Sequence, residues 1–323
     1  MQKRTLVLTI MLALSLILSA CSQPATPQTS NSSQPTSLRF AALRILDSLP
    51  LFVAAEQGYF EQNGLDVKLI PVGSAPERDQ LIASGQADGM INEVMSTLFA
   101  NRDAITVQIV RTARAADKDH PVFRILAGKD TGVSTVSDLS QGEIGISEGT
   151  IIEYVTDRLL EADGYDSAGF PKVNIPAIPD RLALLNSGEL FAATLPEPAS
   201  TIAEQNGAVN VIDDSAHPEY GYSTIAFRNE FIDANPDAMK AFLRAIESAV
   251  EDINNDPAQW DSILIDRELV PPTLVGNYPV PPFITATIPT EAQFRDAVAW
   301  AKSKGYISGD PAYEEMIRSE FLP

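Results

Sequence analysis

The chain has 323 residues, a formal charge of −20 and 45% hydrophobic side chains. So acidic a protein is excluded from binding nucleic acid or anionic headgroups by charge, because that affinity comes from neutralising phosphates. One cysteine and two well-separated histidines exclude an intramolecular disulfide and a zinc site built on cysteine pairs, so neither metal nor cofactor is expected.

Lys3 and Arg4 precede an apolar run over 6–18, and Leu18-Ser-Ala-Cys21 follows at once. That order is the secretory signal pattern. The run is shorter than the roughly 20 residues that span a bilayer. The tetrad resembles the bacterial lipobox, which implies cleavage after Ala20 and lipidation (diacylglycerol, palmitate) of the Cys21 thiol. Residues 1–20 are therefore expected to be a signal peptide and Cys21 a membrane anchor on the extracytoplasmic side. Residues 21–37 are rich in Ser, Thr, Gln and Pro and carry no charge. They cannot bury enough apolar surface to offset ordering entropy, and they read as a disordered tether.

The body then alternates strand and helix signals. Strands are expected over 38–43, 65–71, 87–91, 105–111 and 122–126. Helices are expected over 49–57, 75–84 and 93–101, the first two stopped by Gly58 and Gly85. A second series places strands over 143–147, 172–175, 191–195 and 209–213, with helices over 150–163, 178–187 and 197–206. A strand over 222–228 follows, then a long amphipathic helix over 238–254. Proline-rich loops span 271–289, and helices are expected over 291–304 and 311–321.

Repeated strand–helix units imply mostly parallel sheets with helices on both faces. Both series contain a similar segment, SGQADGMINE at 84–93 and SGELFAATLPE at 187–197. The fold class expected is α/β with two similar lobes: lobe 1 over 38–128 and 222–323, lobe 2 over 129–221. The tail is expected to pack back on lobe 1, and the protein to be a monomer.

Several segments make a family resemblance specific. They are PLFVAAEQGYFEQNGLDV at 50–67, LIASGQADG at 81–89, SDLSQGEIG at 137–145, LPEP at 195–198 and NPDAMKAFL at 235–243. The chain resembles the solute-binding proteins of bacterial ABC importers, in the branch with thiamine-pyrimidine-precursor, nitrate, sulfonate and taurine binders. The resemblance covers about 38–321. It implies a two-lobed, type II periplasmic-binding-protein-like fold, a ligand in the inter-lobe cleft, and ABC permease and ATPase partners. Fungal relatives of this fold make the thiamine pyrimidine with a cysteine-rich motif and an active-site histidine. This chain has no cysteine after Cys21, and His120 and His217 each precede proline rather than ending a strand. Catalysis is not expected.

In open α/β sheets ligands bind beyond the carboxyl ends of the strands. That rule selects Asp47, Ser48, Glu93, Ser96, Gly149, Thr150, Glu153, Tyr154 and Glu197 at the turns, with Tyr222 on a strand. The turns carry carboxylates and, apart from Arg44 nearby, no cation. An anion would be repelled there, so a neutral or weakly basic ligand with N–H donors is expected. Tyr154, Tyr220, Tyr222 and Phe283 suit a stacking wall. Together these features favour a flat heteroaromatic vitamin, riboflavin first, with a thiamine pyrimidine precursor or a sulfonate- or nitrate-type anion as the alternatives. Asp47 serves equally as a helix cap, Glu93 as an acid at a helix start, Tyr154 as core and Gly149 as a tight turn.

Overall fold

The computed structural model describes residues 34–323, apart from 273, 275 and 277. The expected signal peptide, Cys21 and most of the tether lie outside the described residues. The tether's expected end at 37 gives way earlier, because strand β1 (Thr36–Leu43) begins at Thr36.

Two five-stranded sheets organise the body. The first contains β1, β2 (Leu65–Val72), β3 (Gly89–Asn92), β4 (Val107–Ala115) and β10 (Tyr222–Arg228). The second contains β5 (Phe123–Ala127), β6 (Ile144–Ile146), β7 (Lys172–Asn174), β8 (Ala192–Pro196) and β9 (Val209–Asp213). Their orders are β2-β1-β3-β10-β4 and β7-β6-β8-β5-β9. The fourth position in each sheet is filled by a strand that has crossed from the other lobe. The α/β, two-lobed architecture is thus the one expected.

Two details differ from expectation. The sheets are mixed rather than mostly parallel, since β10 runs antiparallel to β3 and β4, and β5 antiparallel to β8 and β9. Moreover, β5 belongs to the second sheet, so the boundary expected at 128 falls before Phe123. A crossover strand is invisible to periodicity, because its partners lie far away in sequence.

Eight main helices carry the argument. In the first lobe are α1 (Leu49–Glu56), α2 (Ala75–Ala83) and α3 (Val94–Ala100). In the second are α4 (Ile151–Ala162), α5 (Ile178–Ser187) and α6 (Ala199–Gln205). The chain closes with α7 (Pro236–Asn255) and α8 (Glu291–Ser303). Helix α1 is buried almost all round, as its unbroken apolar sequence demands. Helix α7 is strongly amphipathic and presents Met239, Phe242, Leu243, Ile246, Val250 and Ile253 to the first core. Phe242 stacks on Phe40 and Phe60 there, at 5.4 and 5.3 Å between centroids.

The tail does not rest on the first lobe alone. Trp300 of α8 donates to Asp157 of α4 at 2.9 Å, and Arg158 meets Asp296 at 2.9 Å. Phe294 and Trp300 share one core with residues of both sheets. The helix expected over 311–321 is only a turn at Tyr313–Met316, because Ile317 bridges to Ile109 of β4 in extended form.

Two adjacent segments, 116–122 and 214–221, connect the lobes. Asp214 clips them together, accepting from the Val122 and Phe123 amides at 2.8 and 3.1 Å. Ala116 N donates to Gly221 O at 2.8 Å. A Cβ at Gly221 would lie 1.6 Å from Asp214 Oδ2, so this crossing requires glycine. Among the described residues no helix is long and apolar enough to cross a membrane.

Candidate functional site

The carboxyl ends of the parallel strands in both sheets meet around one cavity. Leu43 ends β1 and Ile45 follows it, Glu93 follows β3, Ser147 and Thr150 follow β6, Arg181 follows β7 and Pro196 ends β8. Because β5 and β10 are antiparallel, their amino ends come to the same place and bring Phe123, Tyr222 and Ser223. The cavity holds about 50 Å3 in this arrangement, room for a small group only.

Of the residues selected from sequence, Asp47, Glu93, Thr150 and Tyr222 line this cavity. Thr150 caps α4 through Ile152 N at 3.2 Å, and Glu93 caps α3 through Ser96 N at 2.9 Å. Burial raises the Tyr222 hydroxyl pKa, so it stays a neutral donor. Ser48 is turned to Leu43 O at 2.7 Å, and Ser96 lies behind Glu93, donating to it at 2.6 Å. Gly149 takes φ 70°, a left-handed turn that suits glycine.

Glu153 and Tyr154 point elsewhere. Glu153 accepts from Gly149 N at 2.8 Å and Tyr306 Oη at 2.7 Å and pairs with Lys304 at 2.7 Å. Tyr154 packs edge-on against Trp300 and donates to Asp296 at 2.7 Å. Both serve the junction of α4 with the tail. Accordingly, Tyr154→Phe is expected to cost about 0.5–1.5 kcal/mol of stability while leaving ligand affinity unchanged. Thermal unfolding and a binding titration on the same sample check this. The expected stacking wall likewise disperses: Phe283 is in the first core, Tyr220 packs on Tyr154, and only Tyr222 reaches the cavity.

The charge expectation fails most clearly. The turns carry no cation in sequence, yet arginines reach them from elsewhere in the fold. Arg78 of α2 meets Glu93 at 3.1 Å, with the side chains 1% and 3% exposed. Arg114 of β4 meets Asp47 at 3.3 Å, both buried. Arg124 of β5 pairs with Glu197, which also accepts from Ser200 at 2.8 Å, Thr201 at 2.9 Å and Tyr278 at 2.9 Å. These three turn carboxylates are all compensated. A fourth arginine, Arg181, lines the cavity, is wholly buried, and has no carboxylate partner among the described residues.

The signal for two of these arginines lay in the repeat. The segments PERDQLIASG at 76–85 and PDRLALLNSG at 179–188 place arginine at the same step before the glycine stop. Arg78 and Arg181 are thus corresponding residues of the two lobes. Arg114 and Arg124 have no such mark, because long-range strand order alone brings them to the cleft.

The family model described as "NMT1/THI5 like" matches residues 46–260. A 4-amino-5-hydroxymethyl-2-methylpyrimidine phosphate synthase of Schizosaccharomyces pombe is 26% identical over 225 residues, 65% of this chain and 63% of that protein. The matched stretch therefore spans less than two thirds of that relative. Among solved structures, an alkanesulfonate-binding protein of Xanthomonas axonopodis superposes with a TM-score of 0.75 at 14% identity, over 89% of this chain and all of that one. The periplasmic nitrate-binding protein of Synechocystis gives 0.72 at 18% identity, over 89% and 87%. These structural likenesses establish the periplasmic-binding-protein fold. By the match over 46–260, the chain belongs to the NMT1/THI5-like family.

Proposed function

We propose that this chain is the substrate-binding component of an ABC importer and holds a small organic solute between its lobes. The observation that carries the reading is the cavity lined jointly by the strand ends of both sheets, with the two lobes joined by adjacent crossover segments. That arrangement suits closure of one lobe upon the other around a solute. Structural neighbours named for sulfonate and nitrate binding support the class.

The case for riboflavin rests on uncompensated carboxylates, and the ion pairs at Glu93, Asp47 and Glu197 weaken it. A cavity of about 50 Å3 also requires the lobes to part before a flavin enters. A smaller solute fits better. The decisive experiment is a titration of the purified protein with riboflavin, aminopyrimidines, taurine and nitrate, followed by thermal shift and, for riboflavin, fluorescence quenching. Saturable binding of one solute with lobe compaction in small-angle scattering supports the reading. No response to any solute, together with normal import in cells lacking the protein, rejects it.

A second reading, catalysis, is favoured by the synthase name of the fungal relative. Product formation from a bound aminopyrimidine would select it. Lipid anchoring through Cys21 belongs to the importer reading, since it would keep the receptor beside its permease. Labelling by radioactive palmitate that disappears in Cys21→Ser tests the anchor.

A further inference from the structure

Arg181 is the unusual group in the cleft. A guanidinium presents five N–H donors, and its Nε and Nη2 edge forms the side-on fork that grips two oxygens of an acid. In Arg181 the Nη1 end is occupied, donating to Ile175 O at 2.7 Å and Pro176 O at 3.0 Å. These two bonds fix the plane of the group. The Nε and Nη2 atoms are both buried, and both lack a hydrogen-bond partner among the described residues. Burial lowers the pKa to about 10, with no carboxylate acting against it, and the side chain therefore stays charged near neutrality.

An unpaired buried cation is costly, and most native structures avoid one. The repeat shows how this one arises. In the first lobe, Arg78 pairs with Glu93. The corresponding carboxylate of the second lobe is Glu197, which closes the matching segment. Arg124 takes Glu197, with Ser200, Thr201 and Tyr278 completing its shell. Arg181 is left without its counterpart. Two further cavity residues, Ser147 of the second lobe and Ser223 of the first, also carry buried hydroxyls with no partner among the described residues. The charged pairs around the cavity cancel, and Arg181 remains as its uncancelled charge.

We propose that Arg181 is the specificity-determining residue of the cleft and takes the acid group of the solute on its Nε–Nη2 edge, with Ser147 and Ser223 completing the oxyanion's hydrogen bonds from opposite lobes. The proposal rests on the reading of this cleft as the solute site. It makes the solute a small organic acid, carboxylate or sulfonate, rather than a neutral heterocycle. Because the two serines come from different lobes, the acid group would also draw the lobes together.

The test uses the full-length protein in detergent and the anions themselves as probes. Sodium acetate, methanesulfonate and sulfate are titrated against chloride at constant ionic strength, and the thermal midpoint is followed. Wild type is expected to show a saturable rise with at least one oxyanion. Arg181→Lys, which keeps the charge but loses the fork, is expected to need about tenfold more anion. Arg181→Met is expected to lose the response, and Arg295→Met, at an exposed site, to keep it. Preference for acetate over methanesulfonate would assign a carboxylate, and the reverse a sulfonate. An equal response in wild type and Arg181→Met overturns the proposal, whatever the variant's basal stability. Saturable binding of a neutral solute with no oxyanion response also overturns it, while leaving the importer reading in place. No response to any oxyanion or to the neutral solutes, together with normal import in cells lacking the protein, removes both.

Discussion

Replacing Arg78 with methionine is expected to lower the unfolding free energy by about 3–5 kcal/mol, the cost of stranding one partner of a buried ion pair. Arg78 is 1% exposed and serves several acceptors at once: Glu93 at 3.1 Å, Asp79 at 2.8 Å, Ile91 O at 3.2 Å and the Ser96 hydroxyl. Without it, Glu93 would remain a buried carboxylate whose charge nothing balances. A total stability of about 5–15 kcal/mol makes such a loss large. Urea unfolding measures it. The double variant Arg78→Met, Glu93→Leu is expected to recover much of the loss, because no buried charge is left over. Failure of that rescue would mean the single variant acts through packing. A single-variant loss below about 1 kcal/mol would reject the ion-pair account altogether.

Asp214 gives the second large effect, and it depends on pH. The side chain is wholly buried, and burial lifts its pKa from 3.8 to about 7, against the pull of the Val122 and Phe123 amides and of Arg114. Asp213 beside it pushes in the same direction as burial. The folded-state pKa lies above the unfolded one, so the folded protein holds its proton longer. Stability from this group is therefore greatest below about pH 4 and declines as pH rises to about 7, by up to ~4 kcal/mol. Asp214→Asn removes the titration and keeps a carbonyl acceptor for one of the two amides, a loss that does not vary with pH. The stability difference between variant and wild type is expected to shift in the variant's favour from pH 4 to pH 7.5. Thermal midpoints across that range measure it, and a difference that does not change with pH would refute the buried-acid assignment. Because Asp214 clips together the two segments that join the lobes, its protonation would bear on that crossing.

Much of the fold is legible in one dimension. Strand β10 at Tyr222–Arg228 and helix α5 at Ile178–Ser187 fall where alternation, helical periodicity and glycine stops place them. Those signals work because side-chain period and backbone geometry are local properties. The turns that would face a cleft follow from the same reading, and Asp47, Glu93, Thr150 and Tyr222 do line the cavity. Glu153 and Tyr154 sit on the same helix start, yet one helical face turns them to the tail. A turn's position is local, whereas the neighbour it meets depends on how α8 docks.

Electrostatics shows the limit most clearly. Read along the chain, the turns are acidic and bare of cations, and a ligand rich in donors follows. Read in space, Arg78, Arg114 and Arg124 come in from a neighbouring helix, a strand and a crossover strand, and three negative turns become three neutral pairs. The amino-acid sequence by itself determined the export-signal pattern, the alternation of strands and helices, the doubled unit and the places where strands end. Only the tertiary structure decided the strand order, the bridging tail and the sign of charge in the cleft. The physical reason is distance. Propensity and periodicity act within a few residues, while a Coulomb interaction between buried groups depends on separation in space and on local dielectric, quantities set by which strands cross between the lobes.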